Sequence, residues 1–212
     1  MRLFFPVLVI VFCINFTTAQ EDSNNFKITG QVLDGLKKRG KIKLHFKDQD
    51  KILEAKVRNA KFVIEGYTSD EAQVWFEYQN VRSSPFYIEK SEIDLKVSKA
   101  KLHRKSKRDI KIWRVWDIKG SSTEALNDDY RKFYSRNYKN KRFGYLLFNY
   151  LSEKVNTYPK NRLYFDIIFE LSEDHDYLSK KQFLSIIEKM DLSEIGPVEL
   201  RQLSENINRN DY

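Results

Sequence analysis

Between Phe26 and Ile118 the hydrophobic pattern repeats every second residue, and after Gly120 it repeats about every 3.6 residues. That change constrains the fold more than any other feature. Ile28, Gly30 and Val32 alternate with Lys27, Thr29 and Gln31, and Ile42, Leu44 and Phe46 alternate with Lys41, Lys43, His45 and Lys47. Similar runs are 52–57, 62–64, 74–78, 86–88 and 93–97, each short, half apolar and bounded by Gly, Asn, Asp, Ser or Lys. Such runs are antiparallel strands with one wet face. At this spacing they predict a small β-sandwich or open barrel. In IKIWRVWDIKG the alternation returns, with Ile110, Ile112 and Arg114 opposite Lys111, Trp113 and Val115. Trp113 and Trp116 are expected to bury against the sheet or to cover the first helix.

Ser121-Ser122-Thr123-Glu124 reads as a capping box opening a helix that carries Leu126, Tyr130, Phe133, Tyr134 and Tyr138. A second helix holds Phe143, Leu146, Leu147, Tyr150, Leu151 and Val155; Pro159 suits the first turn of a third, with Leu163, Phe165, Ile167, Ile168, Phe169 and Leu171. Glu173 to Tyr177 is a turn, Ser179 with Gln182 is another capping box, and Gly196-Pro197 precedes a last amphipathic segment, Val198 to Ile207. The expected fold class is therefore α+β. An N-terminal antiparallel β-sandwich or open barrel precedes a C-terminal region of about five short helices. The boundaries read as 1–19 for a leader, 20–119 for the β domain and 120–212 for the helical domain.

The leader reading rests on Arg2, the apolar run Leu3 to Phe16, and Thr17-Thr18-Ala19 as a small-residue cleavage site. Cys13 lies inside the apolar run behind the bulky Phe12, which argues against lipidation. It is also the only cysteine, so cleavage after Ala19 leaves none. Disulfides, thiol catalysis and Cys-ligated metals are then excluded. The remaining 212 − 19 = 193 residues carry a charge of 8 − 1 = +7, because Arg2 is the one basic residue removed. The expected location is the periplasm or cell envelope, or the outside. The matching partners are an envelope protein or an anionic glycan or lipid surface rather than nucleic acid.

Two basic clusters are dense enough to bind anions. The first is Lys99 to Arg108, in which Lys101, Arg104, Lys105, Lys107 and Arg108 form the expected anion-binding surface. The second comprises Lys37, Lys38 and Arg39 with Lys41, Lys43 and Lys47 on the strand that follows. Among the histidines, His45 stands on a polar strand face and is expected to be exposed. His103 lies among cations, and His175 sits in Glu173-Asp174-His175-Asp176, whose neighbouring side chains converge poorly on one ion. Gly-rich phosphate loops, H-E-x-x-H and G-x-S-x-G are absent from the sequence. No catalytic, cofactor-binding or metal residue is expected, and the chain reads as a non-enzyme. The aromatic sets Tyr130, Phe133, Tyr134 and Tyr164, Phe165, Phe169 read as core.

Four stretches carry a family resemblance: Phe26-Lys27-Ile28-Thr29-Gly30, Gly40-Lys41-Ile42-Lys43-Leu44, Lys61-Phe62-Val63-Ile64-Glu65-Gly66, and Tyr87-Ile88-Glu89 followed by Ile93 and Leu95. In this order they resemble domain-of-unknown-function family 4369, which precedes thioredoxin-like domains in exported thiol–disulfide oxidoreductases. Ile118-Lys119-Gly120-Ser121 and Tyr158-Pro159-Lys160-Asn161 are similar to that family's helical linker. Asn59-Ala60 departs from its Asp-Gly turn, and Lys90 stands in place of its Gly. The family's CxxC has no counterpart up to Tyr212, so the resemblance transfers no catalytic residue. It implies a non-catalytic envelope binding module or, alternatively, an accessory to a separate thioredoxin-like enzyme.

Overall fold

The structure, a computed structural model, describes residues 24–33, 38–47, 49–102, 110–173 and 177–209. The leader lies outside them. The strands are β1 (Phe26–Val32), β2 (Gly40–Phe46), β3 (Ile52–Val57), β4 (Lys61–Gly66), β5 (Ala72–Tyr78), β6 (Val81–Arg82), β7 (Phe86–Ile88), β8 (Glu92–Leu102) and β9 (Ile110–Lys119). The helices are α1 (Ser122–Asn137), α2 (Phe143–Thr157), α3 (Arg162–Glu173), α4 (Lys180–Ile187) and α5 (Pro197–Asn208). One sheet has the order β4-β1-β8-β9 and the other β3-β2-β5-β6, with β7 also paired to β5. Among the described residues the strands pair antiparallel except β1 with β8, which is parallel.

The two sheets share one core, because alternate residues of every long strand turn inward. Ring pairs join the sheets, Phe26 to Phe46 at 6.3 Å and Phe62 to Phe76 edge-on at 5.3 Å. The F-x-I-x-G stretch of β1 and the F-x-I-x-G stretch of β4 pair reciprocally, Phe26 opposite Gly66 and Gly30 opposite Phe62. Each phenyl ring lies over the other strand's glycine: a Cβ on Gly30 would stand 1.9 Å from Phe62 Cζ, and one on Gly66 would stand 2.9 Å from Phe26 Cζ. The repeated glycine is therefore a packing requirement.

Gln79-Asn80, with φ of 54° and 57°, closes the β5–β6 hairpin, and Asn59-Ala60, with φ of 49° and 64°, turns the chain at the Arg58–Lys61 bridge from one sheet to the other. Paired positive φ values follow the right-handed twist of the flanking strands. At Asp117, φ is 51° and the β8–β9 register slips, so that Asp117 and Ile118 together face Leu95. Trp116, ahead of the bulge, lies on the outer face by the strand's own alternation with the inward Trp113 and Val115; it is 38% exposed, with its Nε1–H donating to Ser98 Oγ at 3.1 Å. Of the two tryptophans expected to bury against the sheet or to cover the first helix, Trp113 is buried, and its Nε1–H donates to Tyr78 O at 2.6 Å.

The helices enclose a second core around Leu147, Leu151, Val155, Phe165, Ile168, Phe183 and Ile186. The aromatic sets of α1 and α3 pack into or against it, as the pattern required. Tyr87 of β7 is the one buried strand residue in this second core. Its hydroxyl donates to Asp166 Oδ2 at 2.8 Å, and its N–H donates to Glu124 Oε2 at 3.0 Å.

Glu124 is therefore not the returning half of a capping box. Ser121 Oγ accepts from Glu124 N–H at 3.0 Å, but the Glu124 carboxylate is drawn to Tyr87, Asn127 and Arg131. The missing cap comes from the sheet: the Glu89 carboxylate accepts from Ser122 N–H at 2.5 Å and Thr123 N–H at 3.1 Å. The Ser179–Gln182 box does form in both directions. Pro159 sits in the turn ahead of α3, which starts at Arg162.

Candidate anion-binding site

The second basic cluster of the sequence divides in space. Lys47 turns to the far end of β2 and pairs with Asp166 at 3.6 Å, and Lys43 stands 3.9 Å from Glu54. Lys38, Arg39 and Lys41 stay at the near end, where Lys56, Arg58 and Lys61 join them from β3, β4 and the turn between. Lys56 faces Lys41 directly across the β2–β3 ladder, an arrangement of like charges that weakens a sheet. Lys41 is relieved by Glu54 at 3.2 Å. Lys38, Arg39, Lys56, Arg58 and Lys61 are exposed and form no ion pair among the described residues. A shallow depression of about 540 Å³ is lined by Arg39, Gly40, Lys41, Lys56, Val57, Arg58 and Asn59.

Backbone hydrogen bonds hold these cations in one array. Arg58 and Lys61 exchange N–H···O bonds of 2.9 Å around the Asn59-Ala60 turn. Ala60 N–H donates to Lys38 O at 3.1 Å, and Val32 N–H donates to Ala60 O at 2.7 Å. Tyr78 Oη donates to Arg39 O at 3.2 Å. Three chain segments are thereby fixed to each other, and their side chains point into solvent from a set frame. Such a frame holds Lys38, Arg39, Lys56, Arg58 and Lys61 close together with no carboxylate paired to them among the described residues, which attracts an anion and loses strength as salt rises.

The opposite end of the sandwich has the reverse character. A cleft of about 490 Å³ lies between the sheets and the helices, lined in part by Lys47, Asp70, Glu71, Lys160, Arg162 and Glu194. Arg162 pairs with Asp166 and Glu199, and Lys160 pairs with Asp191 at 3.2 Å. Asp70, Glu71 and Glu194 form no ion pair among the described residues. Burial, with Glu89 and Asp70 nearby, holds the Glu71 carboxyl above its usual range.

Of the expected surface Lys101, Arg104, Lys105, Lys107 and Arg108, the backbone of Lys101 lies in β8, paired with Lys111. Arg104, Lys105, Lys107 and Arg108 lie outside the described residues, as do His103, Asp174, His175 and Asp176. His45 is not exposed as expected. Its ring stacks on Trp75 at 5.4 Å, and Nε2 lies 3.4 Å from Glu77 Oε2 without forming a hydrogen bond. Arg82 covers Trp75 at 3.8 Å. Among the described residues no group of three or more His, Cys, Asp or Glu is placed to hold a metal. No helix among them is long and apolar enough to cross a membrane.

Lys56, Arg58 and Lys61 were not visible as site residues in the sequence, because they join Lys38 and Arg39 only through the β2–β3 ladder, the isolated Arg58–Lys61 bridge and the Ala60 N–H bond to Lys38 O. The usable signal was the basic flank of the Asn59-Ala60 turn. Residues 26–130 match the family described as Domain of unknown function (DUF4369). No curated protein and no solved structure matches the chain.

Proposed function

Because residues 26–130 are a DUF4369 domain, we propose that the protein is a non-catalytic binding module of the cell envelope that takes an anionic partner at the basic end of its sandwich. The observation that carries this reading is the fixed array of Lys38, Arg39, Lys56, Arg58 and Lys61, tied together by the Ala60 N–H···O bond to Lys38. Their mutual repulsion costs stability, and an anion between them would remove that cost. The partner class is an acidic glycan or another polyanion large enough to meet several cations at once.

Retention on immobilised heparin, a sulfated glycan, tests the reading. The combined variant Arg39→Gln, Lys56→Gln, Arg58→Gln and Lys61→Gln should elute at clearly lower salt than the parent chain, with unchanged circular dichroism. A variant that elutes with the parent refutes the assignment.

A further inference from the structure

A second group of cations, separate from the depression just described, lies at the turn between α1 and α2. From Tyr130 to Ser152 the chain has no Asp or Glu and carries Arg131, Lys132, Arg136, Lys139, Lys141 and Arg142. Arg131 is paired with Glu124 at 3.2 Å and with Asp128 at 3.7 Å. The other five are exposed and form no ion pair among the described residues.

Their positions are not explained by the helices that carry them. Arg136 lies in the last turn of α1, where a cation suits the helix dipole. Lys141 and Arg142 stand at the start of α2, where the dipole repels a cation. Arg142 is the N-cap residue there and makes no capping bond, and the first turn of α2 has no acid. Two exposed aromatics accompany the cations: Tyr138, which ends α1, is 46% exposed, and Tyr145, in the first turn of α2, is 63% exposed. Lys139 Nζ lies 5.5 Å above the Tyr138 ring.

The turn is also firmly built. Asn140 N–H donates to Asn137 O at 2.8 Å, Arg142 N–H donates to Asn140 Oδ1 at 2.9 Å, and Asn137 Nδ2–H donates to Phe133 O at 2.8 Å. Phe143 is buried, edge-on to Tyr134 at 5.2 Å and to Tyr177 at 5.0 Å. The exposed tyrosines and cations thus project from an anchored tip.

We propose that the α1–α2 turn docks on the anionic phospholipid headgroups of a bilayer surface. Five unneutralised cations complement a layer of phosphates. Tyrosine, apolar in its ring and polar at its hydroxyl, suits the headgroup level. Attachment is peripheral and weakens as salt rises, since each basic residue near such a surface is worth roughly a factor of five in partitioning.

Sedimentation with vesicles tests this, using the chain from Gln20 onward, which keeps every described residue. One vesicle set is phosphatidylcholine alone and the other contains phosphatidylglycerol. The parent should bind the phosphatidylglycerol vesicles at low salt and the neutral vesicles hardly at all. The variant Arg136→Gln, Lys139→Gln, Lys141→Gln and Arg142→Gln should lose about a hundredfold in binding after allowance for screening. Tyr138→Ser with Tyr145→Ser should weaken the binding that survives added salt. The heparin variant at the sandwich end removes the same charge and serves as the control, with only a small loss expected. Equal losses in the two quadruple variants would mean that net charge alone acts, and would overturn the proposal. So would a parent chain that ignores phosphatidylglycerol, or one whose tip variant binds an acidic protein less well but vesicles equally well.

Discussion

Replacing Glu89 by Gln tests how the sheets hold the helices. The Glu89 carboxylate accepts from Ser122 N–H at 2.5 Å, Ser122 Oγ–H at 2.8 Å and Thr123 N–H at 3.1 Å. Burial pushes its pKa up, but the hydrogen bonds from Thr123 and Ser122 outweigh burial and hold the carboxyl below 4.5. Glutamine keeps the shape and one acceptor oxygen but removes the charge. Charge-assisted bonds exceed neutral ones by about 1 kcal/mol each, and a charge at a helix N-terminus adds about 0.3–1 kcal/mol. Because Glu89 is partly exposed, we discount the sum to about 1–2 kcal/mol. That corresponds to a fall in Tm of about 2–8 °C at this chain length. A lowered folded pKa means that the contribution is complete above 4.5 and is lost as pH falls through the folded value. The parent and Glu89→Gln should therefore differ near neutral pH and converge in acid. Thermal melts followed by far-ultraviolet circular dichroism across that range decide the matter. Equal melting at neutral pH, or a gap that persists in strong acid, refutes the argument that the charge is what matters.

Three further changes probe other parts of the fold. Ala60→Gly should stabilise the protein by about 0.5–1 kcal/mol, since an alanine at φ 64° is strained; an unchanged or lower denaturant midpoint would contradict this. Gly30→Ala places a methyl 1.9 Å from Phe62 Cζ and should cost about 1–3 kcal/mol by overpacking, read as a lower Tm. Tyr87→Phe removes the bond to Asp166 and should cost about 1–2 kcal/mol in chemical denaturation; no loss would mean that Arg162 and Lys47 satisfy Asp166 unaided.

The strands and helices were legible because each buries one face, and burial writes its period into the sequence. Ile42, Leu44 and Phe46 are buried, as are Phe143, Leu147, Leu151 and Val155. The Phe and Gly positions were legible as motifs, but their pairing was not, since Phe26 and Gly66 meet only through the antiparallel register. Glu124 shows where local reasoning fails. A Glu three residues after a Ser fits a capping box, yet the unpaired Tyr87 N–H competes for the same carboxylate from 37 residues away. The basic end was half legible: Lys38 and Arg39 adjoin in sequence, whereas Lys56 arrives by pairing with β2, and Arg58 and Lys61 by the turn that bonds to Lys38. The bulge at Asp117 carries no periodic signal because a bulge is the loss of period.

β2 begins beside the basic depression at Gly40 and ends beside the acidic cleft at Phe46. Its seven residues separate the two by on the order of 20 Å. The sandwich is thus an electric dipole lying along one of its own strands. A dipole in a field experiences a torque before any contact is made. Toward the acidic glycan proposed for its basic end, the sandwich consequently turns with its positive pole leading and the carboxylates of the cleft trailing. Orientation is then set in solution, over distances where no hydrogen bond acts, and salt that screens the field should randomise the pose of arrival before it abolishes binding.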